Sequence, residues 1–177
     1  MTEQLRTGRP VRDDAPAPDV AAFRRAVGRF ATGVCVVSTF ADGRDHAMTA
    51  NAFTSVSLEP LLVLVCVELD SRFHDAVLEA GVWGVSILDD RARGTAEWLA
   101  TPGRPLVGQL DVVPHHRGER TGVALVDAAL ATLECTTTDV HPAGDHVIVV
   151  GQVLSVGLAA DGHGPLVYHR SSYRSLR

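Results

Sequence analysis

Apolar residues fall into short runs separated by turn signals along most of this chain, and take helical spacing in only two or three places. Pro18-Asp19 reads as a helix start, with Val20, Phe23, Val27 and Phe30 forming one stripe and Gly33 as the stop. Val34–Phe40 reads as the first strand, Asp42-Gly43 as a hairpin turn, and the returning strand runs into Met48–Ser57. Leu61–Leu69 is apolar almost throughout, which predicts a strand buried on both faces. Asp70 or Ser71 then caps a short helix carrying Phe73, Val77 and Ala80, ended by Gly81. Val82–Leu88 is another strand, and Asp89-Asp90 caps a helix to about Ala100 with Ala96 and Leu99 facing inward.

The second half is strand-rich. A loop over Thr101–Pro105 precedes a predicted short strand, Leu110–Val113, and a polar excursion, His115–Gly122. A strand from about Leu130 to Val140 turns at 142–145 into a strand headed by His146 and running through Val147–Leu158. Asp161-Gly162 turns the chain into a last strand, Leu166–His169, and Tyr173 and Leu176 close it. Seven or eight strands with two or three helices, not regularly alternating, argue against a doubly wound sheet. They predict a mainly β fold: a closed or nearly closed antiparallel barrel with peripheral helices.

Length and composition then narrow the picture. The 177 residues suffice for one domain, expected over 19–177, behind a polar, proline-bearing arm over 1–18 read as disordered. No apolar run approaches the ~20 residues of a membrane span, and no signal region opens the chain, so a cytoplasmic protein is expected. A net charge of −5 gives no indication of nucleic-acid binding. All 16 basic residues are Arg, which excludes a Walker-type phosphate loop and a Schiff-base Lys. Cys35, Cys66 and Cys135 lie in separate apolar runs and read as buried free thiols. GxGxxG and GxSxG are absent, and no metal-ligand spacing stands out.

Two stretches carry candidate chemistry. Read as one strand, Met48–Ser57 puts Thr49, Asn51, Phe53, Ser55 and Ser57 on one face: a ring flanked by short hydrogen-bonding groups. That face suits a flat, polar-edged ligand, or it is an ordinary Ser/Thr-rich edge strand. Ser71-Arg72 stands at a strand-to-helix junction, where N–H groups, a hydroxyl and a guanidinium fork together suit a phosphate. A plain N-cap with an exposed Arg is the other reading. Both stretches flank the strand Leu61–Leu69, so both can open toward one groove.

Gly33–Thr39, Met48–Pro60 and Ala143-Gly-Asp-His146, followed by Pro165–Tyr168 and Tyr173, resemble the flavin reductase-like family in that order, over about residues 20–177. The resemblance implies an FMN-binding split β-barrel of antiparallel Greek-key type. It implies a homodimer that reduces FAD in preference to FMN, with NADH in preference to NADPH, and passes the reduced flavin to a partner monooxygenase. It places Thr49, Ala50 and Asn51 against the isoalloxazine edge and ribityl chain, and Ser55, Val56 and Ser57 in the second half of the same motif. It places Ser71 and Arg72, with Phe73 after them, at the flavin tail, and His146 and Tyr173 on the nicotinamide side. A cap on the 142–145 turn is the alternative reading of His146. The sequence departs from the family pattern at Leu61, Phe73 and Ser171. A flavin-binding electron carrier without pyridine-nucleotide turnover is the competing function.

Overall fold

The computed structural model describes residues 16–160 and 162–176, so residues 1–15 of the expected arm lie outside it, as does Asp161. Helix α1 spans Val20–Val27, with Asp19 Oδ1 accepting from the Ala22 N–H at 2.7 Å as the N-cap. Strands β1 (Thr32–Gly33), β2 (Cys35–Ala41), β3 (Arg44–Ala50), β4 (Phe53–Leu58) and β5 (Leu61–Glu68) follow. Helix α2 (Arg72–Ala80) ends at Gly81, whose φ of 66° supplies the left-handed C-cap. Strand β6 (Val82–Leu88) leads through a 3₁₀ turn, Asp90–Ala92, into α3 (Arg93–Ala100). Strands β7 (His115–Arg117), β8 (Ala124–Val126), β9 (Ala129–Ala143), β10 (His146–Leu158), β11 (Leu166–His169) and β12 (Ser172–Ser175) complete the chain.

Seven of these strands form one antiparallel sheet in the order β3-β2-β6-β9-β10-β5-β4. Its two outermost strands, β3 and β4, are consecutive in the chain and joined only by Asn51 and Ala52. A two-residue join draws the opposite edges of the sheet together, so the sheet rolls into a barrel, split between β3 and β4. The β2–β3 turn places Asp42 at φ 51° and Gly43 at φ 71°, the mirror-image turn that matches strand twist. The long β9–β10 hairpin turns at Gly144-Asp145 and carries two register shifts, between Val150 and Gly151 and between Val153 and Ser155.

Two apolar clusters flank the sheet. One, inside the barrel, gathers Val37, Val65, Trp83, Val85 and Val149 with Phe73 and Val77 of α2. The other packs Val36 and Leu88 against Ala96 and Leu99 of α3, with Leu110 and Val113 beside them. Strand β2 serves both clusters and is buried on both faces from Cys35 to Thr39.

Several expectations are corrected. Met48–Ser57 is not one strand: it breaks at Asn51-Ala52 because β3 pairs with β2 and β4 pairs with β5. The common face drawn across that stretch therefore does not exist. Strand β5 is fully buried only on the face of Val63, Val65 and Val67; Leu62, Leu64 and Cys66 are half-buried. Leu110–Val113 is a turn, and its i,i+3 pair Leu110 and Val113 is buried while Val112 is exposed. The polar excursion is the β7–β8 hairpin, closed over the carboxylate of Glu134. Helix α1 stops at Gly28, not at Gly33, and its stripe is at least half exposed at every position. Twelve strands are described, more than the seven or eight expected, because β1, β7, β8 and β12 are too short to show a period.

Gly151 faces the indole of Trp83, and a Cβ at 151 would stand 2.6 Å from its Cζ2. Gly151→Ala is expected to destabilise the barrel by about 1–3 kcal/mol, the usual cost of overpacking a well-filled core. Thermal unfolding reads this directly, and an unchanged Tm would show that the indole has room to move.

Candidate functional site

Three cavities lie along the split of the barrel, and the segment 46–54 is a wall of each. The first, about 380 Å³, is lined by His46–Thr49, by Glu68 and Asp70–Phe73, and by the loop after α3 that includes Arg104. The second, about 180 Å³, is lined by Thr49, Ala50 and Asn51 with Tyr168 and Tyr173. The third, about 840 Å³, is lined by Asn51–Thr54, Phe30, Leu64 and Cys66, among others, and is largely apolar. Thr49 belongs to the first and second, and Asn51 to the second and third. A ligand lying along β3 and across the break would meet polar groups at one end and apolar surface at the other.

Local geometry explains what each residue offers. Thr49 Oγ1 donates to the Ala96 carbonyl at 2.8 Å, tying β3 to α3 and leaving its lone pairs as acceptors. Ala50 is buried and offers only backbone, while Asn51 is exposed, its amide 3.4 Å from Thr32 Oγ1. Because the chain leaves the β3 ladder here, Asn51 keeps its peptide groups free among the described residues, while the Ala52 carbonyl accepts from the Cys66 N–H of β5 at 3.0 Å. Ser71 is the N-cap residue of α2, yet its side chain makes no cap hydrogen bond, and Oγ is buried without a partner. The first N–H groups of α2 have no intrahelical acceptor and point out of its N-terminus beside that hydroxyl. Arg72 is exposed and donates to the Arg104 carbonyl at 2.7 Å.

Other expected residues are placed differently. Phe73 is 3% exposed and packs into the barrel core while also lining the first cavity. Ser55 and Val56 are exposed on β4, and Ser57 Oγ accepts from the Glu59 N–H at 3.1 Å. Residues 55–57 line none of the three cavities. Tyr173 stacks on Tyr168 with ring centroids 5.3 Å apart, tilted by 59°. Burial, and after it the Tyr168 hydroxyl, pushes the Tyr173 phenol above its ordinary pKa, so it remains a neutral donor at working pH. His146 stands at the open end of β10, with Nδ1 2.7 Å from Asp145 Oδ1 and Glu68 opposite it in the ladder. Its hydrogen bond holds the Asp145 carboxyl below the usual range. His146 lies outside the three cavities, one strand from the Glu68 wall of the first.

Sequence reasoning missed the loop that covers the first cavity. Arg104 reaches back to donate to the carbonyls of Ala47 and Thr101. Gln109 Nε2 donates to the Asp45 carbonyl at 2.7 Å, and Trp98 Nε1 donates to the Gln109 carbonyl at 2.8 Å. The sequence signal was slight: a Gly-Arg-Pro inside a turn-rich loop. Tyr168 was noted as part of a motif but not as a wall of the site. The thiols separate as well. Burial pushes those of Cys35 and Cys135 up to about 12, and Cys66, half-buried, faces the large apolar cavity.

Known proteins resemble this chain over most of its length. Residues 27–177 match the flavin reductase like domain. An NADH-dependent flavin reductase from a Rhodococcus species is 43% identical over 158 residues, covering 87% of this chain and 85% of the relative. The crystal structure of BorF, the flavin reductase component of a bacterial two-component tryptophan halogenase, superposes with a TM-score of 0.84. It has 44% identity, covering 89% of this chain and 98% of that one. The Streptomyces globisporus NADH:FAD oxidoreductase, in complex with NAD and FAD fragments, also gives 0.84, at 33% identity, covering 90% of this chain and 93% of that one.

Proposed function

The chain belongs to the flavin reductase-like domain family, and we propose that it reduces free FAD or FMN with NADH and releases the reduced flavin to a separate flavin-dependent monooxygenase. The observation that carries this reading is the run of three cavities along the barrel split, walled throughout by 46–54. Residues 19–177 act as one catalytic domain. Among the described residues no helix is long and apolar enough to cross a membrane.

Hydride passes from nicotinamide C4 to flavin N5, a reaction that the two ring systems supply themselves. The protein binds and orients them at near-attack distance, roughly 3–3.5 Å, and keeps water out. In this reading Thr49, Ala50 and Asn51 hold the flavin at the second cavity, through the lone pairs of Thr49 and the peptide groups of Asn51. Negative charge arising on the reduced ring meets fixed dipoles there, with no need for a nucleophile–base pair. Ser71 and Arg72 take the flavin tail at the first cavity. Tyr173, stacked on Tyr168, and His146, at the adjoining hairpin, serve the nicotinamide nucleotide. Ser55–Ser57 support the break from β4.

The apolar stripe of α1 supports a homodimer. Val20, Phe23, Val27 and Phe30 are all at least half exposed, and the last two border the large apolar cavity. An amphipathic helix whose apolar face no other described residue covers marks an association surface.

Three measurements follow. NADH oxidation is expected only when FAD or FMN is added, and the absence of turnover with every flavin and nucleotide would leave the carrier reading standing. His146→Ala is expected to raise the KM for NADH more than that for flavin; the opposite pattern would assign His146 to the flavin or to the 144–145 turn. Phe23→Glu with Val27→Glu is expected to give a monomer by sedimentation equilibrium, and an unaltered dimer would remove α1 from the interface.

A further inference from the structure

In the flavin-reductase reading the flavin ring and tail take the second and first cavities, which leaves the third, about 840 Å³, to another group. One wall of it is a face of β5. Leu64 and Cys66 line the cavity, and Ile148 of β10 stands directly opposite Cys66 in the ladder. Residues paired across a ladder share a side, and alternate residues point together. His146, opposite Glu68, therefore lies on that same face, one pair beyond Cys66 and Ile148. Helix α1 comes close at this end. The Asp145 carboxyl is held below the usual range first by His146 and, to a smaller degree, by the Arg24 guanidinium.

Two polar side chains mark the rim. Arg24 is the one cation among the described residues that line the cavity, and α1 carries no carboxylate after its N-cap Asp19. Asp145, the carboxylate near it, is exposed and already bonded to His146 at 2.7 Å. The second side chain sits on the β11–β12 turn. His169 pairs with Ser172, so Arg170 and Ser171 alone make that turn, at φ 49° and 58°. Such a mirror-image turn favours Asn-Gly. Here two non-glycine residues hold left-handed backbone, a cost that persists where the surroundings impose it. The Arg170 N–H donates to the Gly28 carbonyl at 2.8 Å and ties the turn to the end of α1. Ser171, one of the positions at which the chain departs from the family pattern, lines the cavity.

A guanidinium and a hydroxyl beside walls of Val27, Phe30 and Leu64 suit a flat heterocycle that carries a phosphate. Val34, Asn51 and Tyr168 border the second cavity as well as this one, so the two spaces adjoin. The second, about 180 Å³, is below the size of a full ligand site, about 300–1,000 Å³. We infer that the large cavity takes the adenylate half of NADH, with Arg24 and Ser171 on its phosphate and the adenine against Phe30. The assignment rests on the flavin-reductase reading, which puts the nicotinamide beside Tyr168 and Tyr173. The two substrates then leave the ring site in opposite directions. The flavin tail runs along β3 past Thr49, and the dinucleotide runs across the break past Asn51. Neither tail displaces the other, so both substrates are bound at once.

The test compares NADH with reduced nicotinamide mononucleotide, which has the same ring without the adenylate half, as donors to the full chain and to its Arg24→Gln and Ser171→Gly variants. Loss of one charge-assisted hydrogen bond predicts that the kcat/KM ratio of NADH to the mononucleotide falls about tenfold in Arg24→Gln, with the KM for flavin unchanged. Ser171→Gly relieves the left-handed backbone, so it folds at least as stably, and is expected to lower the same ratio about threefold. An unchanged ratio in Arg24→Gln, or an equal loss with both donors, would overturn the assignment. So would a rise in KM confined to the flavin, which would give the cavity to the flavin instead. Calorimetry with AMP provides a second arm that needs no turnover. AMP is expected to bind the unaltered protein, to bind Arg24→Gln more weakly, and to compete with NADH but not with flavin. Absence of AMP binding, or competition with flavin, would also overturn it. Absence of NADH turnover with every flavin would sink the reductase reading and leave AMP binding to decide the subsite.

Discussion

The architecture depends on a two-residue join. Asn51 and Ala52 connect the two outermost strands of a seven-stranded sheet, and so short a connection forces the edges together. The three cavities proposed for ligand binding lie along the seam that results. On one side β3 is bonded to β2, on the other β4 is bonded to β5, with the Ala52 carbonyl accepting from the Cys66 N–H of β5, and the peptide groups of Asn51 belong to neither ladder. A closed barrel would have used those groups up. A flat sheet would have exposed them on distant edges, without a groove.

The lid and outer hairpins are held by buried polar anchors as well as apolar packing. Glu134 is 2% exposed on β9, yet its carboxylate accepts from the Arg120 and Thr121 N–H groups and from the Thr121 hydroxyl. Burial alone would raise its pKa, but these hydrogen bonds outweigh it and hold the carboxyl below the usual range. Gly118 passes so close to this carboxylate that a Cβ there would stand 2.5 Å from Cδ. Asp89 does the same for the start of α3, capping Arg91 N at 2.9 Å and pairing with its guanidinium. Both carboxyls have depressed folded pKa values. Their contribution to stability is present above the ordinary carboxylate range and is lost as pH falls through the folded values. The site is thus framed by loops anchored to the barrel, so its geometry is set before a ligand arrives.

Local signals were legible in the sequence where the physics is local. Asp42-Gly43, Gly81, the Asp89 cap and β6 are where turn and capping chemistry put them. Thr49, Asn51, Ser71 and Arg72 stood out because polar groups in apolar surroundings are conspicuous, and all four line a cavity. What failed was pairing. Nothing in Met48–Ser57 announces that its halves belong to opposite sheet edges, since a change of partner leaves the alternation intact. Leu110–Val113 was misread because an i,i+3 pair in a four-residue window satisfies either period. His46 looked like an ordinary strand residue, and Arg104 like loop decoration. Their roles arise from the fold of the 101–110 loop onto β3, which joins residues more than fifty positions apart.

Not every buried polar atom without a partner points to function. Trp83 Nε1 and Thr137 Oγ1 are also unpartnered. Trp83 fills the barrel core against Gly151, where its ring area outweighs one lost hydrogen bond, and neither atom borders the three cavities. Isolated cases of this kind are the ordinary residue of packing. The 380 Å³ cavity differs in that three of its lining residues, His46, Ser71 and Arg104, carry such atoms and come from separate elements: β3, the start of α2 and the loop after α3. Its tie to the other two cavities is the segment 46–54, which walls all three, so the polar and apolar ends of the groove are set by one stretch of chain.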